Sequence, residues 1–247
     1  IGTRVSKTNK VLGIKIDDNV LGNILNPLGE NMLNDDKVSW AGEDTPIDIT
    51  PKSIHERERV KDPLVTGVPI VDFLIPLGKG QRELIIGDRN TGKTSFILQT
   101  MLSQVRKGSI CIYAAIGKKK EAIREVQTYL EKNDMLDRCV IVGSTSTESL
   151  GKIFVTPYTA MTMAEYFRDK GQDVLLILDD LTTHAKYFRE LSLISGKFPG
   201  KDSYPGDVFY VHARLLERAG TFEHDGKDVS ITCLPIAETI AGDISGY

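Results

Sequence analysis

The stretch Glu83-Leu84-Ile85-Ile86-Gly87-Asp88-Arg89-Asn90-Thr91-Gly92-Lys93-Thr94-Ser95-Phe96-Ile97-Leu98 decides the fold. An apolar run reads as a strand, a loop bounded by two glycines follows, and Lys93-Thr94 opens a segment of helical character. The spacing is G-x-x-x-x-G-K-[ST] in a strand, loop, helix context. Each residue type answers a physical need. Gly87 and Gly92 let the backbone curl so that successive N–H groups face inward, where the N-terminus of the following helix adds positive potential. Such a cradle suits phosphate oxygens, with Lys93 reaching the β- and γ-phosphates of a nucleotide and the Thr94 hydroxyl ligating magnesium. Gly87, Asp88, Arg89, Asn90, Thr91, Gly92, Lys93, Thr94 and Ser95 are therefore the candidate binding loop for ATP or ADP with Mg2+.

Working outward, strand-like runs alternate with helix-length segments. The strands are Glu83 to Gly87, Ser109 to Ile116, Cys139 to Gly143, Val174 to Asp179 and Val229 to Ile236. That rhythm predicts an α/β fold whose mainly parallel sheet is flanked by helices. After Gly117 the apolar positions Ala122, Ile123, Val126, Tyr129 and Leu130 fall at helical spacing up to Asn133. Further helices are expected over Tyr158 to Lys170, Thr182 to Ser195 and Asp207 to Ala219, the last with Asp207 as N-cap. A magnesium-bound triphosphate also needs a carboxylate at the end of a neighbouring buried strand. Val174-Leu175-Leu176-Ile177-Leu178-Asp179-Asp180 supplies one, and Asp179 is the expected metal-side acid.

The rest of the chain bounds the reading. Val11 to Asp36 alternates short apolar pairs with Gly13, Gly22, Pro27, Gly29 and Asn34, as in small β elements joined by tight turns, and reads as a lead-in outside the core. Thr45 to Asp62 is polar and reads as a surface connection. The start at Ile1 and the finish at Tyr247 after an apolar run look like cuts through a longer protein. With 31 basic against 34 acidic residues there is no basic excess for a sequence-independent grip on nucleic acid. Three cysteines, far apart and odd in number, read as reduced core thiols. The four histidines lack metal-ligand spacing and read as structural or surface residues. No run approaches the roughly 18 apolar residues of a membrane span, so membrane association is expected only through partner subunits.

From Thr66-Gly67 and Val71-Asp72 through Pro76-Leu77-Gly78-Lys79-Gly80-Gln81-Arg82 and the loop, the chain resembles the alpha subunit of F-type ATP synthases. Ala115-Ile116-Gly117, Glu165-Tyr166-Phe167-Arg168-Asp169, Asp179-Asp180-Leu181, Tyr204-Pro205-Gly206-Asp207 and Arg214-Leu215-Leu216-Glu217-Arg218-Ala219 follow the same family in order. The resemblance implies a RecA-like P-loop domain over 45–247, preceded over 1–44 by a short β-rich remnant that ends an N-terminal β-barrel. It implies an alternating hexamer with catalytic beta subunits, central and peripheral stalk subunits, and a peripheral place on the cytoplasmic side of an energy-transducing membrane. Glu217 is carried over as a residue near the nucleotide. Asp88 and Arg89 fit alpha subunits better than beta. Asn90 departs from the family's glutamine, Ser195-Gly196-Lys197-Phe198 from an arginine-rich stretch, and Val155-Thr156-Pro157-Tyr158 matches only in part.

One position separates enzyme from binding module. Beta subunits place a water-polarising glutamate after the Gly that ends the second strand, alpha subunits a glutamine, and this chain has Lys118. An ammonium takes no proton from water near neutral pH. Lys118 either neutralises phosphate charge or belongs to a solvated run with Lys119 and Lys120. Asp180 reads as a structural or water-ordering acid. No catalytic residue is assigned, and the expected role is nucleotide retention by an alpha-type subunit. The alternatives are a catalytically active hexameric ATPase of the secretion or flagellar export type and, more remotely, an RNA-translocating hexameric helicase, for which the chain lacks basic loops.

Overall fold

The computed structural model describes residues 6–32 and 40–244. Ile1, Asn34, Asp36 and Tyr247, which figure in the reading of the lead-in and the chain ends, lie outside them. In chain order the elements are β1 (Gly13–Lys15), β2 (Ile24–Leu25), β3 (Asp44–Pro46), β4 (Pro63–Leu64), α1 (Pro69–Leu74), β5 (Leu77–Gly78), β6 (Ile85–Gly87), α2 (Lys93–Arg106), β7 (Ile110–Lys118), α3 (Lys120–Lys132), β8 (Cys139–Thr145), α4 (Leu150–Arg168), β9 (Val174–Asp179), α5 (Leu181–Ile194), α6 (Val208–Leu216), β10 (Gly220–His224) and β11 (Lys227–Glu238). The main sheet runs β10-β11-β9-β7-β8-β2, and β6 joins it on β11. All its pairings are parallel except the β10–β11 hairpin, so the expected mainly parallel sheet is present.

Alternation along the strands sends side chains to two cores. Ile112, Ala114 and Ile116 of β7 join Leu176 and Leu178 of β9 in a core closed by Ile153, Met161 and Ala164 of α4. Cys111, Tyr113 and Ala115 join Leu175 and Ile177 in the opposite core, against Ile97 and Met101 of α2 and Ile123, Val126 and Leu130 of α3. Period-2 geometry does this wherever both faces of a strand are covered, and it explains why these strands are apolar throughout. Cys111, Cys139 and Cys233 are free and buried, as read. No helix among the described residues is long and apolar enough to cross a membrane.

The structure differs from the sequence reading in three places. α4 begins at Leu150, eight residues before the expected start, and runs through Pro157. A proline removes one helical hydrogen bond, and that penalty is outweighed here because Thr156 to Glu165 are all buried. Asp207 holds the N-cap position of α6, but its carboxylate bonds Lys197 Nζ at 2.8 Å instead of capping. The lead-in is also more than a lead-in: β2 adds an edge strand on β8, and Ile14, Ile16, Val20 and Leu25 are core residues. Residues 45–62 are mostly exposed, as a surface connection should be, apart from buried Ile47.

Candidate functional site

Parallel strands deliver their carboxyl ends to one edge of the sheet, where ligands of open α/β sheets collect. Register makes this concrete. Gly87 at the end of β6 pairs with Glu238 at the end of β11, and Ala115 of β7 pairs with Asp179 at the end of β9. A β-bulge between Ala115 and Lys118 then carries β7 past that line. Gly87, Lys118, Asp179 and Glu238 therefore surround the loop between β6 and α2 without any of their strands leaving the sheet.

The loop is shaped as its glycines require. Gly92 has φ 91°, a left-handed conformation that other residues adopt only at a cost. A Cβ on Gly87 would lie 2.9 Å from Thr91 Oγ1. Asn90, the departure from the family pattern, sits at φ 61°, where asparagine is tolerated better than most side chains. Lys93 Nζ donates to the carbonyls of Gly87 at 2.7 Å and Asp88 at 2.6 Å, so the ammonium holds the loop closed around itself. α2 starts at Lys93, and its first-turn amides have no partners within the helix. Thr94 and Ser95 are exposed at that turn.

A cavity of about 740 Å³ opens in front of the loop and is lined by Arg89, Asn90, Gly92, Lys93, Thr94, Ser95, Lys118 and Asp179 of the expected set. Its size is that of a site for a nucleotide-sized ligand. Gly87 and Thr91 shape the loop from behind. Asp88 faces a neighbouring cavity, where its carboxylate accepts from Thr239 Oγ1 at 2.5 Å and Gly242 N at 3.1 Å. Those two bonds hold its pKa below the usual carboxylate range. Arg89 pairs with Glu238, Nε to Oε2 at 3.2 Å. Glu217 is not brought to this cavity. At the end of α6 its carboxylate lies 2.5 Å from Arg82 Nη1 and 3.5 Å from Arg57 Nη2, which places it with the sheet's hairpin side instead of the loop.

The acidic pair is fully engaged. Asp179 accepts from the Tyr113 hydroxyl on Oδ2 and lies 2.6 Å from Lys118 Nζ on Oδ1. Asp180 caps α5, Oδ1 accepting from Thr183 N at 2.6 Å, while Oδ2 takes Lys118 Nζ at 2.9 Å. Burial lowers the Lys118 pKa, but Asp179 and Asp180 outweigh it and hold the ammonium above the ordinary lysine value. Burial and then the Asp179 charge push the Tyr113 phenol well above its ordinary range, so it remains a donor. The solvated-run alternative for Lys118 is thus corrected, since only 24% of its side chain is exposed. The side chain at the end of β7 is thus a charged ammonium, which has no lone pair with which to take a proton from water. Asp179 and the Thr94 side chain face one cavity, an oxygen donor set of the kind magnesium takes.

Sequence reasoning missed Tyr113 and Glu238. Glu238 had a signal, an acid two residues beyond an apolar strand run, at the strand end where sites form. Tyr113 had none, because a tyrosine inside an apolar strand reads as core until the partner strand's register is known.

Comparison with known proteins identifies the family. Residues 67–247 match the family model of the ATP synthase alpha/beta family, nucleotide-binding domain. Over the whole chain it is 43% identical to ATP synthase subunit alpha of Clostridium acetobutylicum, covering 48% of that relative. It is 43% identical to ATP synthase subunit alpha of Acholeplasma laidlawii, covering 49%, and 44% identical to ATP synthase subunit alpha 2 of Syntrophus aciditrophicus, covering 47%. The chain thus spans about half the length of these relatives, and the resemblance to alpha subunits read from its motifs is borne out. With its mainly parallel sheet, its phosphate loop and this match over most of its length, the chain belongs to the ATP synthase alpha/beta family and carries that family's nucleotide-binding domain.

Proposed function

We propose that the chain is the nucleotide-binding part of an alpha-type subunit of a rotary F-type ATP synthase, and that it holds Mg-ATP or Mg-ADP at the interface with catalytic beta-type subunits without turning it over. The observation that carries this reading is Lys118. A complete phosphate loop stands opposite an ammonium held charged by two carboxylates, at the place where hydrolysis would require a base. The roles follow from position. Amides of residues 90–95 and Lys93 take the phosphates, which requires Lys93 Nζ to exchange its two loop carbonyls for phosphate oxygens. Thr94 ligates magnesium and Asp179 orients its waters. Gly87 and Thr91 fix the loop's shape, Asp88 anchors it to 239–242, and Arg89 and Lys118 offset phosphate charge. Glu217 has no part in this arrangement.

Binding in such a subunit serves assembly: a retained nucleotide stabilises the boundary between subunits while the catalytic neighbours change state. Central and peripheral stalk subunits and a peripheral position on an energy-transducing membrane belong to the same proposal. The division near residue 44 is part of the same proposal, with the antiparallel β1–β3 ribbon, which pairs 13–15 with 44–46, lying across it. Calorimetric Mg-ATP binding and phosphate release test the reading on the purified full-length subunit, as wild type and as Lys93→Ala. Binding that disappears in Lys93→Ala, with negligible phosphate release by the wild type, is expected. Steady release that disappears in Asp180→Ala would overturn it in favour of a catalytically active hexameric ATPase of similar fold.

A further inference from the structure

The end of β7 brings one cation to two acids. Four carboxylate oxygens meet there, and each has a donor from the protein: Tyr113 and Lys118 on Asp179, Thr183 N and Lys118 on Asp180. Two of the donors are neutral and serve packing or capping. The ammonium is the cation of the group, and it takes the Asp179 oxygen that Tyr113 leaves, on the side where Lys118, Asp179 and Thr94 line the same cavity. That is the place from which Asp179 would orient the waters of a magnesium ion bound to Thr94 and phosphate. A divalent ion and an ammonium a few ångströms apart in a half-buried site repel strongly. Lys118 therefore has to swing away before the metal gains the full use of Asp179, or the metal has to bind without it.

We infer that Lys118 is a built-in counter-cation of Asp179 that competes with magnesium, so that this site retains nucleotide with only a weak dependence on the metal. This rests on the nucleotide-holding reading above and adds the metal dependence of that same site. With the metal absent, Lys118 offsets the Asp179 charge that would otherwise repel phosphate. The flanking Lys119 lines the cavity as well.

The test uses the full-length subunit and a fluorescent N-methylanthraniloyl ATP. Its affinity is measured in EDTA and across a magnesium titration, for wild type, Lys118→Gln and Lys118→Arg. The wild type is expected to change affinity by less than about tenfold between EDTA and saturating magnesium. Lys118→Gln removes the charge and is expected to reach half-saturation at a magnesium concentration at least tenfold lower, a difference of about 1.4 kcal/mol. Lys118→Arg keeps the charge and should follow the wild type. Equal magnesium dependence in wild type and Lys118→Gln, or a higher requirement in the variant, would overturn the inference. Should Lys118→Gln fail to fold by thermal melting, the wild type alone decides, since a loss of more than about tenfold in EDTA is equally fatal to it. Absence of ATP binding by the wild type under every condition would instead defeat the nucleotide-holding reading itself.

Discussion

Asp180 does two jobs with two oxygens. Oδ1 accepts the Thr183 amide, one of the donors that the first turn of α5 leaves unpaired, and Oδ2 holds Lys118. Removing a side-chain N-cap costs about 1 kcal/mol, with a range of roughly 0.5–2. Asp180→Ala is therefore expected to lower unfolding stability by at least the roughly 0.5–2 kcal/mol of the cap in urea titrations, whereas Asp180→Asn, which still accepts from Thr183 but turns an NH2 towards Lys118 in place of Oδ2, should recover only the capping part. A loss confined to stability would agree with the structural role read from the sequence. Asp179 could be singled out beforehand because it ends a buried apolar strand in a chain that also carries the phosphate loop. Its two partners could not: Tyr113 and Lys118 meet it only through the β7–β9 register, which pairs Ala115 with Asp179, and through the bulge that follows.

At the scale of elements, α5 and α6 are joined by a histidine pair. His184 Nδ1 lies 2.9 Å from His212 Nε2, and His184 Nε2 lies 2.9 Å from the Phe154 carbonyl of α4. The carbonyl only accepts, so His184 carries its proton on Nε2 and Nδ1 accepts from His212. Burial, then the neighbouring His212, lowers the His184 pKa from 6.5 to about 3, and burial lowers that of His212 to about 4. Both are depressed bases, so below pH 6.5 the unfolded chain binds protons that the folded chain refuses. Stability consequently falls as pH drops from 6.5 towards 4 and then 3, by about 1.4 kcal/mol per pH unit for each histidine. Urea midpoints measured from about pH 7 to about pH 5 should show that slope, and His212→Asn should roughly halve it. A wild-type midpoint that is flat over this range would mean the pair does not stay neutral in the fold. The reading of α4 found its second half, from Tyr158 on, and missed its start at Leu150. A helix buried around most of its circumference has no apolar stripe to betray its period, and Pro157 was the stronger local signal.

For the whole molecule, Arg218 ties together segments far apart in the chain. Fully buried just past α6, it donates to Glu165 at 2.5 and 3.1 Å, to Thr162 Oγ1 at 2.7 Å and to the Ile47 carbonyl at 2.7 Å. The surface connection, α4 and the lead to β10 thus converge on one guanidinium. Losing one partner of a buried pair costs up to roughly 3–5 kcal/mol where the other charge is left uncompensated, and Arg168 Nη1 at 3.8 Å gives Glu165 a weaker second partner. Arg218→Met is expected to destabilise by up to that amount in chemical denaturation, and adding Glu165→Gln should restore a large part of it. A double variant no more stable than the single one would mean that the three-way tie, and not the stranded carboxylate, dominates.

What the sequence determined by itself is whatever depends on neighbours along the chain. The phosphate loop, the apolar strands, the period of α3 and the acid that ends β9 are local patterns, because backbone geometry converts spacing directly into loop, strand or helix. What only the tertiary structure decided depends on register and on packing between distant elements. Neither the place of β2 in the sheet, the run of α4 through Pro157, the removal of Glu217 to Arg57 and Arg82, nor the seat of Lys118 between two aspartates is written in any local window. Each is set by which strand lies beside which and by how many residues one strand runs past the next, and a shift of one residue there reverses the face on which a side chain lies.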